Sequence, residues 1–266
     1  MFFRSKTFMV VLLIVVVGGA ITLIFKPRDT FEKSADKKVI EDHSFTAVEV
    51  MADNAAIEIV PSKDSEVTVA YTGTTKKKAK YLFEAEVKGD TLAVQFKEKH
   101  KGFIHLGLST LNITLTVSIP EKHYEQIQAE TDNGRIKVEN LQAGDLVLET
   151  DNGKVELKQI DATVVRVKTD NGRILLEDVE GKIEAKTDNG RISLITNILD
   201  RPIDLETDNG KIEIQTEMEP KNATIDAKSD NGRVELFGQE NKLVMFGKGE
   251  NLIKLRTDNG RITVTN

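Results

Sequence analysis

No cysteine and no tryptophan occur in this chain, and it has only three tyrosines, four histidines and five prolines. Without cysteine, thiol catalysis is excluded; the same absence fits a location on either side of a membrane. His43, His100, His105 and His123 all lie outside the most regular part of the sequence, so no histidine is paired with a repeated acidic position for acid–base chemistry. From Gln126 to Leu236 there is no aromatic residue and no histidine, which removes the ring platforms on which a lectin-like site stacks sugars. An excess of positive charge is also missing. The chain holds 37 basic and 43 acidic residues. Residues 1–28 take four of the basic residues and none of the acidic ones, leaving 33 against 43, a net charge of −10, for the remainder. Such a surface is a poor nucleic-acid binder.

What is present is a repeat. Thr/Ser-Asp-Asn-Gly followed by Lys or Arg begins at Thr131, Thr150, Thr169, Thr187, Thr207, Ser229 and Thr257, at intervals of 19, 19, 18, 20, 22 and 28 residues. A fixed local sequence at a nearly fixed period signals a repeat architecture. After each Gly, aliphatic residues alternate with polar ones, as in Ile136 and Val138, Val155 and Leu157, or Ile262 and Val264. The same alternation precedes each turn, from Ile127 and Ala129 to Ile253 and Leu255. Period-two alternation marks half-buried strands. Each unit therefore reads strand, Asp-Asn-Gly turn, strand, with Asn and Gly expected to supply positive φ.

Two arrangements fit this pattern. As two-residue hairpins, the units would set Asp132 against Arg135 favourably, but also Glu149 against Glu156 and Glu206 against Glu213, which repel. As stacked rungs of a β-solenoid, identical turns would form ladders along one edge and the aliphatics would stack inside. Only stacking requires identical turns at constant period, so an all-β solenoid of about seven rungs over residues 126–266 is the expected fold, with a meander of hairpins as the alternative. Seven rungs at about 4.8 Å would span roughly 34 Å. The insertion Phe237–Asn251 carries Phe237 and Phe246 as expected capping residues, and the strand with Thr263 and Thr265 reads as a polar, protected edge.

Residues 43–125 read as a β-rich entry module that caps the other end of the stack. Val48, Val50 and Ala52, then Asp53-Asn54, then Ile57 and Ile59 form a degenerate unit without its Gly. Leu111, Ile113, Leu115, Val117 and Ile119 alternate up to Pro120, which cannot donate to a ladder. Residues 26–42 are charged and read as a linker. Ahead of them, Thr7–Phe25 is an uncharged run of 19 mostly apolar residues, flanked by Arg4 and Lys6 and by Lys26 and Arg28. It is long enough to span a bilayer as a helix. A cleaved signal peptide would have a shorter core, whereas here Ile21, Leu23, Ile24 and Phe25 extend past Gly18-Gly19-Ala20. The expected layout is a cytoplasmic N-terminus (1–6), a transmembrane anchor (7–25) and an extracytoplasmic repeat domain. The basic residues after the run argue for the opposite orientation by a literal charge count, but large domains translocate largely regardless of charge.

An N-terminal anchor, alternating strands, Val117-Ser118-Ile119-Pro120-Glu121 and then strand–Asn-Gly–strand units together resemble the LiaG-like proteins of bacterial cell-envelope stress operons and the wider adhesin-like β-strand-repeat family. The resemblance covers essentially the whole chain. It implies a membrane-tethered extracytoplasmic β-solenoid with no established enzymatic activity; the expectation for this chain is no catalysis, no cofactor, and an unknown envelope protein or wall polymer as partner.

The residues admit three chemistries. Asp132, Asp151, Asp170, Asp188, Asp208, Asp230 and Asp258 would stack at rung spacing, and a carboxylate ladder invites Ca²⁺. Against this, Arg135, Lys154, Arg173, Arg191, Lys211, Arg233 and Arg261 follow the same turns and are expected to neutralise the aspartates without metal. A polysaccharide-acting β-helix enzyme needs a distinguished acid–base pair, and identical repeats single out none. A binding or scaffolding module needs only the long regular face. Lys76-Lys77-Lys78 with Lys80 is a basic cluster that could meet an anionic wall polymer, although a solvated loop is the simpler reading.

Overall fold

In the computed structural model the described residues are 31–76, 80–99 and 112–266. The apolar run 7–25 and its flanks lie outside them, and no helix among the described residues is long and apolar enough to cross a membrane. Among the described residues there is no helix; strands are joined by turns, bends and irregular segments such as 41–46.

In chain order the strands are β1 (Phe31–Ile40), β2 (Ala47–Ala52), β3 (Ala56–Pro61), β4 (Val67–Lys76), β5 (Lys80–Lys88), β6 (Thr91–Lys99), β7 (Asn112–Ile119) and β8 (His123–Asn133). They continue with β9 (Ile136–Thr196), β10 (Ile203–Thr216), β11 (Ala223–Asn231), β12 (Val234–Leu236), β13 (Leu243–Phe246), β14 (Asn251–Asn259) and β15 (Ile262–Thr265). β9 is unbroken over 61 residues because ladder bonding continues around successive corners. The pairing between successive units is parallel and in register: Ile127 faces Leu146, Thr131 faces Thr150 and Asn133 faces Asn152. Between the fourth and fifth units, Ile203 faces Ile183 and Gly210 faces Gly190. These are stacked rungs, so the solenoid expectation holds and the hairpin meander is excluded.

The inward aliphatics form continuous columns. Ile57, Ile136, Val155, Ile174, Ile192, Ile212 and Ile262 lie in one, and Ile59, Val138, Leu157, Leu176, Leu194, Ile214 and Val264 in the next; all are buried. β-branched and Leu side chains suit such a narrow two-faced core, where each rung presents the same cross-section to its neighbours.

The order of rungs in space departs from the order in sequence at both ends. β14 lies between β10 and β11: Leu255 faces Leu205 on one side and Ala227 on the other. β15 likewise lies between β10 and β12, with Ile262 facing both Ile212 and Val234. The last Asp-Asn-Gly unit is thus inserted between the fifth and sixth. The strand with Thr263 and Thr265 is therefore an interior rung, not the edge expected from its polarity. At the opposite end, β2 lies between β6 and β8, and β3 lies between β7 and β9. The degenerate Asp53-Asn54 unit is consequently a full member of the stack, while the later β6 and β7 form the layer beyond it.

Antiparallel strands close each end. β5 pairs with β6, β4 with β7 and β1 with β4. Residues 31–40, within the expected linker, therefore form an edge strand; Ile40 faces Val67 and Lys38 faces Val69. Its charged residues are compatible with strand structure because an edge strand turns one face and one rim to water. Tyr71, Tyr81, Phe83 and Phe96 cluster under this cap, with Tyr71 edge-on to Phe83 at 4.9 Å between ring centroids. At the far end β13 pairs antiparallel with β11. There Phe237 and Phe246 meet edge to face at 5.5 Å and pack on the core, as capping residues should.

Candidate functional site

The repeated motif builds one long edge of the stack. The asparagines form a single hydrogen-bonded column in spatial order. Asn133 Nδ2 donates to Asn54 Oδ1 at 2.8 Å, Asn152 to Asn133 at 3.0 Å, Asn171 to Asn152 at 3.0 Å and Asn189 to Asn171 at 3.0 Å. The column continues with Asn209 donating to Asn189 at 3.1 Å, Asn259 to Asn209 at 2.9 Å and Asn231 to Asn259 at 3.1 Å. It follows the spatial order, so the inserted last rung sits in it without a break. Behind it, the buried hydroxyls of Thr131, Thr150, Thr187, Thr207, Thr257 and Ser229 donate to a backbone carbonyl of the rung before, at 3.0–3.5 Å.

The turn glycines have a different reason from the one the sequence suggests. None of the motif's Asn or Gly residues has positive φ. Left-handed residues occur instead at another corner, at Asn140, Gln159 and Asp178, with φ of 55°, 52° and 51°. What the motif glycine lacks is room. A Cβ on Gly190 would lie 1.6 Å from Gly172 O, and on Gly210 1.6 Å from Gly190 O. The motif is thus a close-approach column, in which each rung's backbone rests on the next.

Asp132, Asp151, Asp170, Asp188, Asp208, Asp258 and Asp230 follow one another along this edge, exposed or half-buried. Their expected neutralisation by the next basic residue is not what the geometry shows. Arg135 pairs with Glu58 and Glu156, Lys154 with Glu156, Arg191 with Glu213 at 3.4 Å and Arg233 with Glu240 at 3.2 Å. Among the described residues, the turn aspartate found in an ion pair is Asp230, with Lys228 at 2.9 Å. The basic residue opens the following strand and projects from its outer face, where its neighbours are the glutamates of that strand and of adjoining rungs. Burial raises the pKa of Asp132, and the like charges of Asp53, Asp151 and Glu130 push it further the same way. No group of three or more histidine, aspartate or glutamate side chains converges in a metal-binding arrangement among the described residues.

A second feature escaped the sequence. On the outer face of the strands before the turns lies a cleft of about 370 Å³, lined by Glu149, Arg166, Lys168, Glu184, Lys186, Asp204 and Glu206. Lys168 donates to Glu149 at 2.8 Å, Lys186 to Glu206 at 2.9 Å, and Arg166 pairs with Glu184 at 3.5 Å. Burial raises the pKa of Asp204, while Lys254 opposes the shift. These residues come from different rungs at matching positions, so only the stacking register shows that they share a surface. Arg201 was missed for the same reason. It is 8% exposed and fills a corner, donating to Val179 O at 2.7 Å, Ile198 O at 2.8 Å and Thr196 Oγ1 at 2.7 Å. Of the basic cluster, residues 77–79 lie outside the described residues, and Lys80 is exposed at the start of β5.

The parallel in-register stack, with its asparagine column and paired caps, defines a β-solenoid repeat protein whose regular surfaces are set by the backbone. The family model for the Toastrack domain, DUF4097, matches residues 45–174 and 138–265, and the chain belongs to that family. It is also similar to the uncharacterised protein YvlB of Bacillus subtilis, at 30% identity over 110 residues, which are 38% of this chain. The match spans about a quarter of that relative, 27% of its length. Among solved structures, a candidate cell adhesion protein from Clostridium sporogenes aligns over 88% of this chain and 99% of its own, at 12% identity and a TM-score of 0.43. A candidate adhesin from Bacteroides fragilis aligns over 88% and 97%, at 14% identity and a TM-score of 0.45.

Proposed function

We propose that the chain is a membrane-anchored, extracytoplasmic binding or scaffolding protein of the bacterial cell envelope, adhesin-like in role and LiaG-like in layout. The observation that carries this reading is the rigid, periodic outer surface of the stack. Its side chains are fixed at rung spacing by backbone register and by the asparagine column, which suits an extended partner such as a wall polymer or another envelope protein. The reading is supported by the 19-residue apolar run with basic flanks and by the net charge of −10 on the remainder, which keeps the domain off its own anionic membrane. A role in the envelope stress response follows from the LiaG-like resemblance. The proposed role needs no catalysis: in the cleft Glu149, Glu184 and Glu206 are engaged by Lys168, Arg166 and Lys186, which leaves Asp204 without a second free carboxylate to form an acid–base pair.

Protease treatment of intact cells tests the topology. The repeat domain should be digested without lysis, and a domain protected until lysis contradicts the outside placement. Crosslinking in those cells tests the role, with a defined envelope component expected in the captured complex. Replacing Lys168 and Lys186 by Glu should weaken that capture if the cleft takes part.

A further inference from the structure

The two ends of the stack are protected very differently. The outer strand at one end, β1, carries Glu32, Lys33, Asp36, Lys37 and Lys38, and charge on an edge strand discourages pairing with another chain. The outer strand at the other end, β13, reads Leu-Val-Met-Phe. Leu243 and Met245 are both 66% exposed on its solvent face. Among the described residues no strand pairs with β13 on the side away from β11.

The backbone specifies what that edge offers. Ala227 N–H donates to Lys242 O at 2.8 Å, and Val244 faces Ile225 in the same antiparallel ladder. Antiparallel residues alternate between bonding one neighbour and the other. Val244 therefore directs its N–H and C=O toward β11, and Leu243 and Met245 direct theirs outward. The edge presents two residues with free donors and acceptors, and they are the two that also expose large apolar side chains.

We propose that β13 is a self-association edge, at which a second copy of this chain adds its own β13 antiparallel about a two-fold axis through Val244. In that register Leu243 faces the second copy's Met245 and Met245 faces its Leu243. Both are hydrogen-bonded pairs, four bonds in all, and side chains of each pair emerge on the same face. Val244 faces its own counterpart at the axis. The edge is its own complement: the two outward-bonding residues of one copy, symmetric about Val244, meet the same two of the other, and the exposed apolar faces of both edges merge. The contact is isologous and closes at two copies, joining two solenoids end to end through a continuous sheet. A four-residue edge is small against the roughly 1,200–2,000 Å² of stable interfaces, so the dimer is weak and reversible.

The absence of native cysteine makes a direct test available. Val244→Cys in the purified full-length chain in detergent places two thiols across a non-hydrogen-bonded antiparallel pair, about 4.5 Å apart between Cα atoms, within disulfide reach. Mild oxidation should give a disulfide-linked dimer in at least tenfold excess over Ile195→Cys, an exposed control on the side of the stack. Adding Met245→Pro should abolish the link, because it removes an outward N–H that β11 does not use. The melting temperature of this variant before oxidation shows that the fold survives. Equal crosslinking at Val244→Cys and Ile195→Cys, no crosslinking at Val244→Cys, or crosslinking that persists with Met245→Pro overturns the proposal. Crosslinking in cells to a different protein through Val244→Cys, with none between purified copies, also overturns it and assigns the edge to another partner.

Discussion

Replacing Gly190 by alanine separates two explanations for the repeated motif. If the glycine served a left-handed turn, its cost would match that of any glycine with positive φ. Gly238 is such a residue, with φ of 74° and nothing within 4 Å of an added Cβ, so Gly238→Ala should cost about 1 kcal/mol. At Gly190 the obstacle is the backbone carbonyl of Gly172, 1.6 Å from the new Cβ, which no side-chain rotation can clear. The rungs must part locally. That forces overpacking strain of about 1–3 kcal/mol. It also weakens the Asn189 contacts to Asn171 and Asn209, at about 1 kcal/mol each. The expected total is about 3–5 kcal/mol. For a domain of this size that corresponds to a fall of about 6–20 °C in melting temperature, against about 2–4 °C for Gly238→Ala. Thermal unfolding by circular dichroism at matched concentration reads both. Equal shifts for the two variants would refute the close-approach explanation.

Further outcomes follow from the same geometry. Arg201→Leu strips the buried Val179 carbonyl and the half-buried Ile198 carbonyl of their donor and should cost about 2–4 kcal/mol in urea unfolding; Arg201→Lys should recover little of it, since one ammonium cannot reproduce the planar fork. Asn171→Ala removes two bonds of the exposed column, to Asn152 and from Asn189, and should cost about 2 kcal/mol, about 1 for each. Asp132 has a folded pKa raised by burial and by neighbouring carboxylates. The folded state then holds its proton more tightly than the unfolded state, so this group's penalty is present above its folded pKa and is relieved as pH falls through that value toward its ordinary 3.8. Asp132→Asn should therefore stabilise the protein at pH 7, with the gain shrinking toward pH 4 in parallel denaturation curves.

The stacked fold is legible because the interval and the aliphatic alternation constrain every rung, and because Glu149 and Glu206 would face like charges in hairpins. The order of rungs is not legible. Ile253 fits on Ile203 or on Ile225 equally well, so identical cross-sections carry no address, and the 28-residue interval shows only that the chain has length to cross the stack. The turn chemistry misleads for a related reason. Asn-Gly is a signal for positive φ in two-residue hairpins, but here the glycine is selected by a neighbouring rung far away in sequence, as Gly260 is by Gly210. The cleft was hidden likewise: Glu149, Lys168, Lys186 and Glu206 look like ordinary alternating surface residues until registration aligns them. Residues 31–40 were obscured by their charge, which is what an edge strand tolerates.

Both the edge column and the cleft depend on the parallel stack with its inserted last rung, and pairs of engineered cysteines test that stack directly in a chain with none of its own. Glu213 faces Thr263, and Thr263 faces Glu235, so Glu213 and Glu235 stand two rungs apart. Neighbouring rungs are about 4.8 Å apart and alternate ones about 9.6 Å, on either side of the roughly 7 Å limit for a disulfide. Glu213→Cys with Thr263→Cys should form an intramolecular disulfide under mild oxidation, whereas Glu213→Cys with Glu235→Cys should not. The reverse pattern would place the rungs in sequence order and contradict the account.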